Sequence, residues 1–271
     1  MDIIGHRGAR HLFMENTLDG LTRALDLGVD GLEMDLHGTK DGVLVLHHDF
    51  HLRKDATWTR DGRPLEGGLP LVCELTWEEL GAYRVGKSPE HLHPIPSLTQ
   101  VLAMLQGRPK KCAPLCLELK TNPLAPHYSL VHSRIVDRLF EDLALYGAFE
   151  DVTIMAFEWR LFELIRRQSK EISVCCSTHV NTTFGKDQEL WLGKRVEHLD
   201  FVKTLHEVSG TRWAPFYGDL TEDLVAEAKD HGLKVTPWTV NDEADMKRMH
   251  AWAVDGLITD RPDVALRLFG R

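Results

Sequence analysis

Two carboxylates alternate along a short apolar segment near the N-terminus. Glu33 and Asp35 are two positions apart in a predicted strand, so their side chains face the same side. Glu118 and Lys120 repeat this spacing at the end of a second such segment. Neighbouring buried carboxylates repel each other and require a cation. Three converging carboxylates therefore favour a hard divalent ion, Mg2+, Ca2+ or Mn2+, and Lys120 adds a positive charge for a phosphate.

Two further segments supply groups that can transfer protons. His6 and Arg7 are flanked by glycines at the end of the first predicted strand, and His48 follows a later one. Arg7 can hold phosphate oxygens in a fork. The two histidines could lie on opposite sides of a scissile phosphodiester, one as general base and the other as the acid that protonates the leaving alkoxide. Which histidine has which role is open. His47 points to the other face of its strand, which indicates a structural role.

These residues need elements that bring them together. Short apolar segments alternate with amphipathic ones and predict strands at residues 2–5, 31–36, 43–47, 115–119, 152–156, 173–176, 234–238 and 256–259. Residues 213–216 are a candidate for a ninth, irregular strand. Capping residues predict helices that begin at Asn16-Thr17, Ser97 and Thr221.

The alternation of strands and helices predicts parallel βαβ units that close into a (β/α)8 TIM barrel, with residues 1–271 as a single domain. The polar groups above all fall at C-terminal strand ends, where barrel enzymes place catalysis. One interval, about 50–96, lacks clean periodicity. It predicts an ordered insertion after the third strand, at the C-terminal mouth, anchored by Trp77 and the apolar residues of segment 69–80.

Composition excludes several classes of protein. The chain has 271 residues, of which 43% are hydrophobic, and a net charge of −9. An acidic surface argues against nucleic acid and anionic membranes as partners. No apolar stretch is long enough for a transmembrane segment, and the N-terminus does not resemble a signal peptide. The five cysteines form no Cys-x-x-Cys pair. We therefore expect reduced thiols and a cytoplasmic protein.

The motifs occur in the order found in the glycerophosphodiester phosphodiesterase family, which this sequence resembles over nearly its whole length. The matching segments are 5–9, 15–17, 31–35, 39–42, 48–49, 118–120, 238–241 and 255–262. The resemblance implies a TIM barrel with a family insertion after strand three, and metal-dependent release of sn-glycerol 3-phosphate and an alcohol. It implies acid–base catalysis by His6 and His48, one divalent ion held by Glu33, Asp35 and Glu118, and substrate contacts by Arg7, Lys120 and Trp238.

Other functions stay open on the sequence alone. Departures from the family pattern at Lys54 and Ala156 concern substrate preference. A lysophospholipase D-like enzyme, or another hydrolase of lipid phosphodiesters, would keep the barrel and need an exposed apolar or basic approach surface, for which Trp58 and Trp77 are candidates. A barrel that only binds phosphate esters would have lost a catalytic position, and none is lost. An aldolase- or enolase-type barrel fits the paired histidines less well. The preferred alcohol, the native ion and the oligomeric state are not predicted.

Overall fold

The computed structural model describes residues 1–108 and 114–271. The strands in this part of the chain are β1 (Asp2–Gly5), β2 (Gly31–Gly38), β3 (Leu44–Leu46), β4 (Thr57–Thr59), β5 (Tyr83–Val85), β6 (Leu115–Leu119), β7 (Val152–Ala156), β8 (Ser173–Thr178), β9 (Arg212–Pro215), β10 (Lys234–Val235) and β11 (Gly256–Thr259). The helices are α1 (Leu18–Leu27), α2 (Trp77–Leu80), α3 (Leu98–Gln106), α4 (His132–Tyr146), α5 (Arg160–Gln168), α6 (Val180–Thr183), α7 (Gln188–Leu192), α8 (Phe201–Ser209), α9 (Glu222–Asp230), α10 (Glu243–Ala251) and α11 (Pro262–Leu268).

Eight parallel strands form a nearly closed barrel, which confirms the predicted fold. Their order around the barrel is β10, β9, β8, β7, β6, β2, β1 and β11. Backbone hydrogen bonds link the two ends of this order: Asp255 N donates to Val235 O at 2.8 Å, and Ile258 N donates to Pro237 O at 3.0 Å. The C-terminal ends of all eight strands therefore meet at one mouth.

One predicted barrel strand is wrong. The segment 43–47 was expected to be parallel, but β3 pairs antiparallel with the end of β2, Leu46 opposite Leu36. The reason is the short connection 39–43, because a parallel partner requires a crossover of about a dozen residues. The place in the barrel is taken instead by β9, from the segment 213–216 that was only a candidate for an irregular strand.

The long interval after β3 contains ordered secondary structure. It lies between the second and third barrel strands, β2 and β6, and contains the antiparallel pair β4 and β5. Trp77 packs against its buried apolar residues. These residues, separate from the main core, are Val45, Leu52, Leu65, Val72, Leu80, Val85 and Ile95. The insertion therefore has its own small hydrophobic core.

Local sequence signals fix the helix ends as predicted. The side chains of Thr17, Ser97 and Thr221 each accept a hydrogen bond from a backbone N–H in the first turn of α1, α3 and α9. Helix α1 ends at Gly28 in the left-handed conformation, with φ 96°. Because these signals act over three or four residues, they do not depend on tertiary structure.

The remaining global expectations concern thiols and membranes. Free thiols are found at Cys73, Cys175 and Cys176, as expected from the cysteine spacing. Cys112 lies outside the described residues. Within 1–108 and 114–271, none of the helices has the length and apolar character needed to span a bilayer.

A tight backbone approach at the end of β1 leads to a testable prediction. A Cβ atom on Gly5 would lie 1.8 Å from the backbone oxygen of Gly8, which cannot rotate away. The substitution Gly5→Ala is expected to lower the free energy of unfolding by about 1–3 kcal/mol, measured by urea denaturation. Gly68→Ala is the control, because its Cβ would meet nothing within 4 Å. An equal loss in both variants would contradict this explanation.

Candidate active site

A cavity of about 310 Å³ occupies the C-terminal mouth of the barrel. Seven of the eight predicted site residues line it: His6, Arg7, Glu33, His48, Glu118, Lys120 and Trp238. The eighth, Asp35, is buried beside them and shares an acidic cluster with Glu33 and Glu118. The structure therefore brings all the predicted residues together, although they come from both ends and the middle of the chain.

The acidic cluster has the composition of a site for a hard cation. One carboxylate oxygen from each of Glu33, Asp35 and Glu118 lies within 4.8 Å of the other two. Strand pairing explains this, because Asp35 on β2 is directly opposite Glu118 on β6. Glu33 Oε1 is buried and has no hydrogen-bond partner among the described residues. An unpartnered buried carboxylate oxygen is costly, and a divalent ion would satisfy it.

The charges in this cluster are unequally compensated. Lys120 Nζ lies 2.8 Å from Glu118 Oε1 and 3.5 Å from Asp35 Oδ1. Although burial opposes it, Lys120 and Arg7 hold the pKa of Asp35 well below its ordinary value. Burial and the charges of Asp35 and Glu118 raise the pKa of Glu33 well above its ordinary value. Glu33 therefore lacks the compensation that Asp35 has, and a bound cation would supply it.

His6 is held as a neutral imidazole with an accepting nitrogen. Its Nδ1 lies 2.5 Å from Asp260 Oδ1, and Arg7 Nε donates to its Nε2 at 3.3 Å. These partners assign the proton to Nδ1 and leave the lone pair on Nε2. Burial, supported by the charge of Arg7, lowers the pKa of His6 against the opposing effect of Asp260. Nε2 is therefore the nitrogen that can accept a proton from a ligand, once the ligand replaces the hydrogen bond from Arg7.

Arg7 connects several parts of the site. Its Nε lies 3.2 Å from Asp35 Oδ2, and its Nη1 donates to Glu15 Oε1 at 3.1 Å. Although burial opposes the charge, Asp35 and Glu15 raise the pKa of Arg7. Its backbone N–H donates to Glu33 Oε2 at 3.0 Å, and its φ of 52° places it in the left-handed region.

The two adjacent histidines after β3 have different environments. The His48 side chain is 33% exposed, and its Nδ1 lies 2.7 Å from Asp49 Oδ1. The hydrogen bond from His48 lowers the pKa of Asp49 to about 2. His47 is buried, and its Nε2 lies 3.0 Å from the carbonyl oxygen of His51. Of the two, only His48 lines the mouth cavity, whereas both line a neighbouring cavity.

Three positioning residues were not assigned these roles from the sequence. Asn16 Nδ2 donates to Asp35 Oδ2 at 2.8 Å, Glu15 holds Arg7, and Asp260 holds His6. Asp260 could have been found, because it follows β11 at the same strand-end position that His6 occupies after β1. Asn16 and Glu15 precede α1 and carry no such signal.

The sequence profile of the glycerophosphoryl diester phosphodiesterase family matches residues 6–264. The chain belongs to this family. A family relative, the glycerophosphodiester phosphodiesterase of Caldanaerobacter subterraneus subsp. tengcongensis, is 28% identical over 98% of this chain and 96% of its own length. A lysophospholipase D of Mus musculus is 25% identical over 98% of this chain and 80% of its own length.

Solved structures support the same conclusion for the fold. A candidate glycerophosphoryl diester phosphodiesterase of Silicibacter pomeroyi has a TM-score of 0.86 and 32% identity, with 99% of this chain and 92% of its own covered. A phosphodiesterase of Oleispira antarctica, solved with the product sn-glycerol-3-phosphate, has a TM-score of 0.78 over 100% and 97% of the two chains. At 19% identity, this second likeness concerns the fold alone.

Proposed function

We propose that this protein hydrolyses glycerophosphodiesters to sn-glycerol 3-phosphate and an alcohol with the help of one divalent cation, Mg2+, Ca2+ or Mn2+. The observation that carries this proposal is a single cavity lined by two carboxylates of the acidic cluster, three cationic side chains and two imidazoles. Family membership supports it, as does the name of the Caldanaerobacter relative.

The cation would be held by Glu33, Asp35 and Glu118 and would supply charge stabilisation to the phosphoryl oxygens. Arg7 and Lys120 line the cavity beside the acidic cluster and would bind the phosphate, and Arg10 is a third cationic residue of the lining. This division of work agrees with the charge balance of the cluster. The carboxylates already hold both side chains in place, so little reorganisation is needed when the substrate enters.

The two histidines would act on opposite sides of the phosphodiester. His6 Nε2 accepts hydrogen bonds and would take the proton from the attacking hydroxyl or water. His48 would protonate the leaving alkoxide. This assignment rests on a second cavity, of about 570 Å³, that shares His48 and Arg10 with the first but does not reach His6. The second cavity offers room for the alcohol, which supports His48 as the acid on the leaving-group side.

The cavity of about 310 Å³ at the barrel mouth is called the inner cavity from here on. It has an aromatic wall suited to the glycerol carbons. Trp238 Nε1 donates to Ala214 O at 2.9 Å, which fixes the indole ring. The ring of Phe157 meets that of Trp238 edge-on, with 5.5 Å between the centroids. We therefore assign the contact with the glycerol unit to this pair, in agreement with the role that the sequence predicts for Trp238.

The direct test is the release of glycerol 3-phosphate from glycerophosphocholine by the purified protein. Release should stop with EDTA, return with a divalent ion and be lost in His48→Ala. The exposed His91 in the insertion provides the matched control, His91→Ala, which should stay active. Faster turnover of lysophosphatidylcholine would instead favour the lysophospholipase D alternative. Absence of release with all three ions from a folded protein would refute the proposal.

Asp260 is expected to affect kcat because it fixes the tautomer of His6. The substitution Asp260→Asn removes the carboxylate acceptor for Nδ1–H, so the imidazole loses its preferred tautomer. We expect kcat for glycerophosphocholine to fall at least about 10-fold with KM little changed. Asp263→Asn is the control, because Asp263 pairs with Arg261 outside the cavity. Unchanged kcat in Asp260→Asn would show that the hydrogen bond is dispensable.

We also propose that the reaction takes place in the cytoplasm. The free thiols of Cys73, Cys175 and Cys176 are typical of a reducing compartment and support this proposal. The substrate is expected to be a small diester, because the inner cavity of about 310 Å³ has the size of a small-molecule site.

A further inference from the structure

A buried hydroxyl group in the inner cavity has no partner within the described part of the chain. Ser177 is 2% exposed, and its Oγ makes no hydrogen bond to any residue of 1–108 or 114–271. It lines the same cavity as His6 and the acidic cluster. Buried polar side-chain atoms are nearly always paired, so this hydroxyl points to a ligand as its missing partner.

The position of Ser177 follows from strand geometry. Cys175, two residues earlier on β8, packs inside the barrel against Met155 and Ala214. Side chains alternate along a strand, so Ser177 also faces inward, one step closer to the mouth. Along the strand order, β8 is the fourth strand from β1 in both directions. Ser177 therefore lies across the barrel from His6.

This location separates Ser177 from the phosphate chemistry. The acidic cluster and Lys120 belong to β2 and β6, whereas Ser177 lies beside the aromatic wall. The link to that wall is direct: Ser177 pairs in register with Ala214, whose carbonyl oxygen holds the indole of Trp238. A phosphate bound at the cluster would place its ester carbons toward this wall. The indole N–H is already used, which leaves Ser177 as a free donor there.

We propose that Ser177 Oγ hydrogen-bonds to a hydroxyl of the glycerol unit and thereby selects diesters of polyhydroxy alcohols over diesters of simple alkyl alcohols. This inference rests on the proposed function and adds a residue that determines specificity. The aromatic wall accepts the carbon skeleton, and Ser177 recognises the oxygen. A substrate without that oxygen would leave the buried hydroxyl unpaired, which is the basis of strong discrimination between alcohols.

The test compares glycerophosphocholine with two analogues, the phosphocholine esters of propane-1,2-diol and propane-1,3-diol, each of which lacks one glycerol hydroxyl. For the wild type, we expect kcat/KM for one analogue to be lower by about 10- to 100-fold, mainly through KM. In Ser177→Ala, kcat/KM for glycerophosphocholine should fall by the same factor, and kcat/KM for that analogue should not change. Ser177→Thr keeps a hydroxyl and should restore part of the discrimination.

Thr239 provides the matched control, because it carries the other hydroxyl in the cavity lining. Thr239→Val should keep the discrimination between the diols. The inference is overturned if Thr239→Val removes the discrimination between the diols. It is also overturned if Ser177→Ala lowers kcat/KM by the same factor for all three substrates.

A binding measurement separates this inference from the proposed function. Calorimetry with Mg2+ present would compare sn-glycerol 3-phosphate with the phosphates of the same two diols. Preference for glycerol 3-phosphate that disappears in Ser177→Ala supports the role of Ser177 even if glycerophosphocholine is not hydrolysed. Hydrolysis of glycerophosphocholine with equal binding of all three phosphates would keep the function and reject the role of Ser177. Absence of binding to any of them would reject the role as well.

Discussion

Replacing His6 or His48 by alanine is expected to lower kcat for glycerophosphocholine by about 100- to 10,000-fold, and replacing both should cost little more than replacing one. The reason is that the two imidazoles line one cavity and would act as a pair on a single displacement. When one of the two proton transfers is lost, the remaining histidine contributes little further acceleration of the reaction. Steady-state kinetics of the two single variants and the double variant measures this non-additivity.

The control for this series must show that the fold survives. Far-UV circular dichroism and the melting temperature should match those of the wild type, and His91→Ala should retain full kcat. Multiplicative losses in the double variant would mean that the histidines act in independent steps. A fully active His6→Ala would remove His6 from the mechanism, together with the positioning role of Asp260.

The second large effect concerns the divalent ion. Chelation is expected to lower turnover by about 1,000-fold, which corresponds to the several kcal/mol that a metal contributes to transition-state stabilisation. Independently of activity, the ion should raise the melting temperature of the wild type, because it binds the folded cluster only. Glu33→Gln should weaken ion binding measured by calorimetry. Its metal-free form should be at least as stable as the wild type, since a charge repelled by Asp35 and Glu118 is gone.

A buried glutamate outside the cluster provides the comparison. Glu158 is buried and contacts Arg160 and His132, with no role in the acidic cluster. Glu158→Gln should lower stability, because it weakens a buried ion pair, and should leave the dissociation constant of the ion unchanged. Equal ion affinity in Glu33→Gln and the wild type would place the cation elsewhere.

The features that sequence predicted well depend on short-range signals. Thr17 and Ser97 cap their helices because a hydroxyl can reach a backbone N–H three residues away. Glu33 and Asp35 share a face because strand side chains alternate. Barrel enzymes place catalytic residues at the C-terminal ends of their strands, which predicts that both carboxylates lie at one mouth. The family pattern then predicts the site residues that come from other strands.

The features that sequence missed depend on contacts between distant residues. His6 and Asp260 are separated by 254 positions, and only barrel closure between β1 and β11 brings them together. The antiparallel direction of β3 was missed because its apolar residues do not distinguish the two directions of pairing. The unpartnered state of Ser177 could not be predicted, since it reflects what the surrounding residues fail to provide.

The insertion has a consequence for how this enzyme family can diversify. Its residues Arg53, Thr57, Val85 and Lys87 line the second cavity, whereas the inner cavity is built mainly from barrel strands. Because the insertion has its own core, mutations there can reshape the second cavity with little strain on the barrel. Under the proposed function, substitutions in the insertion would therefore change the accepted alcohol and leave the phosphate-cleaving residues of the barrel strands as they are.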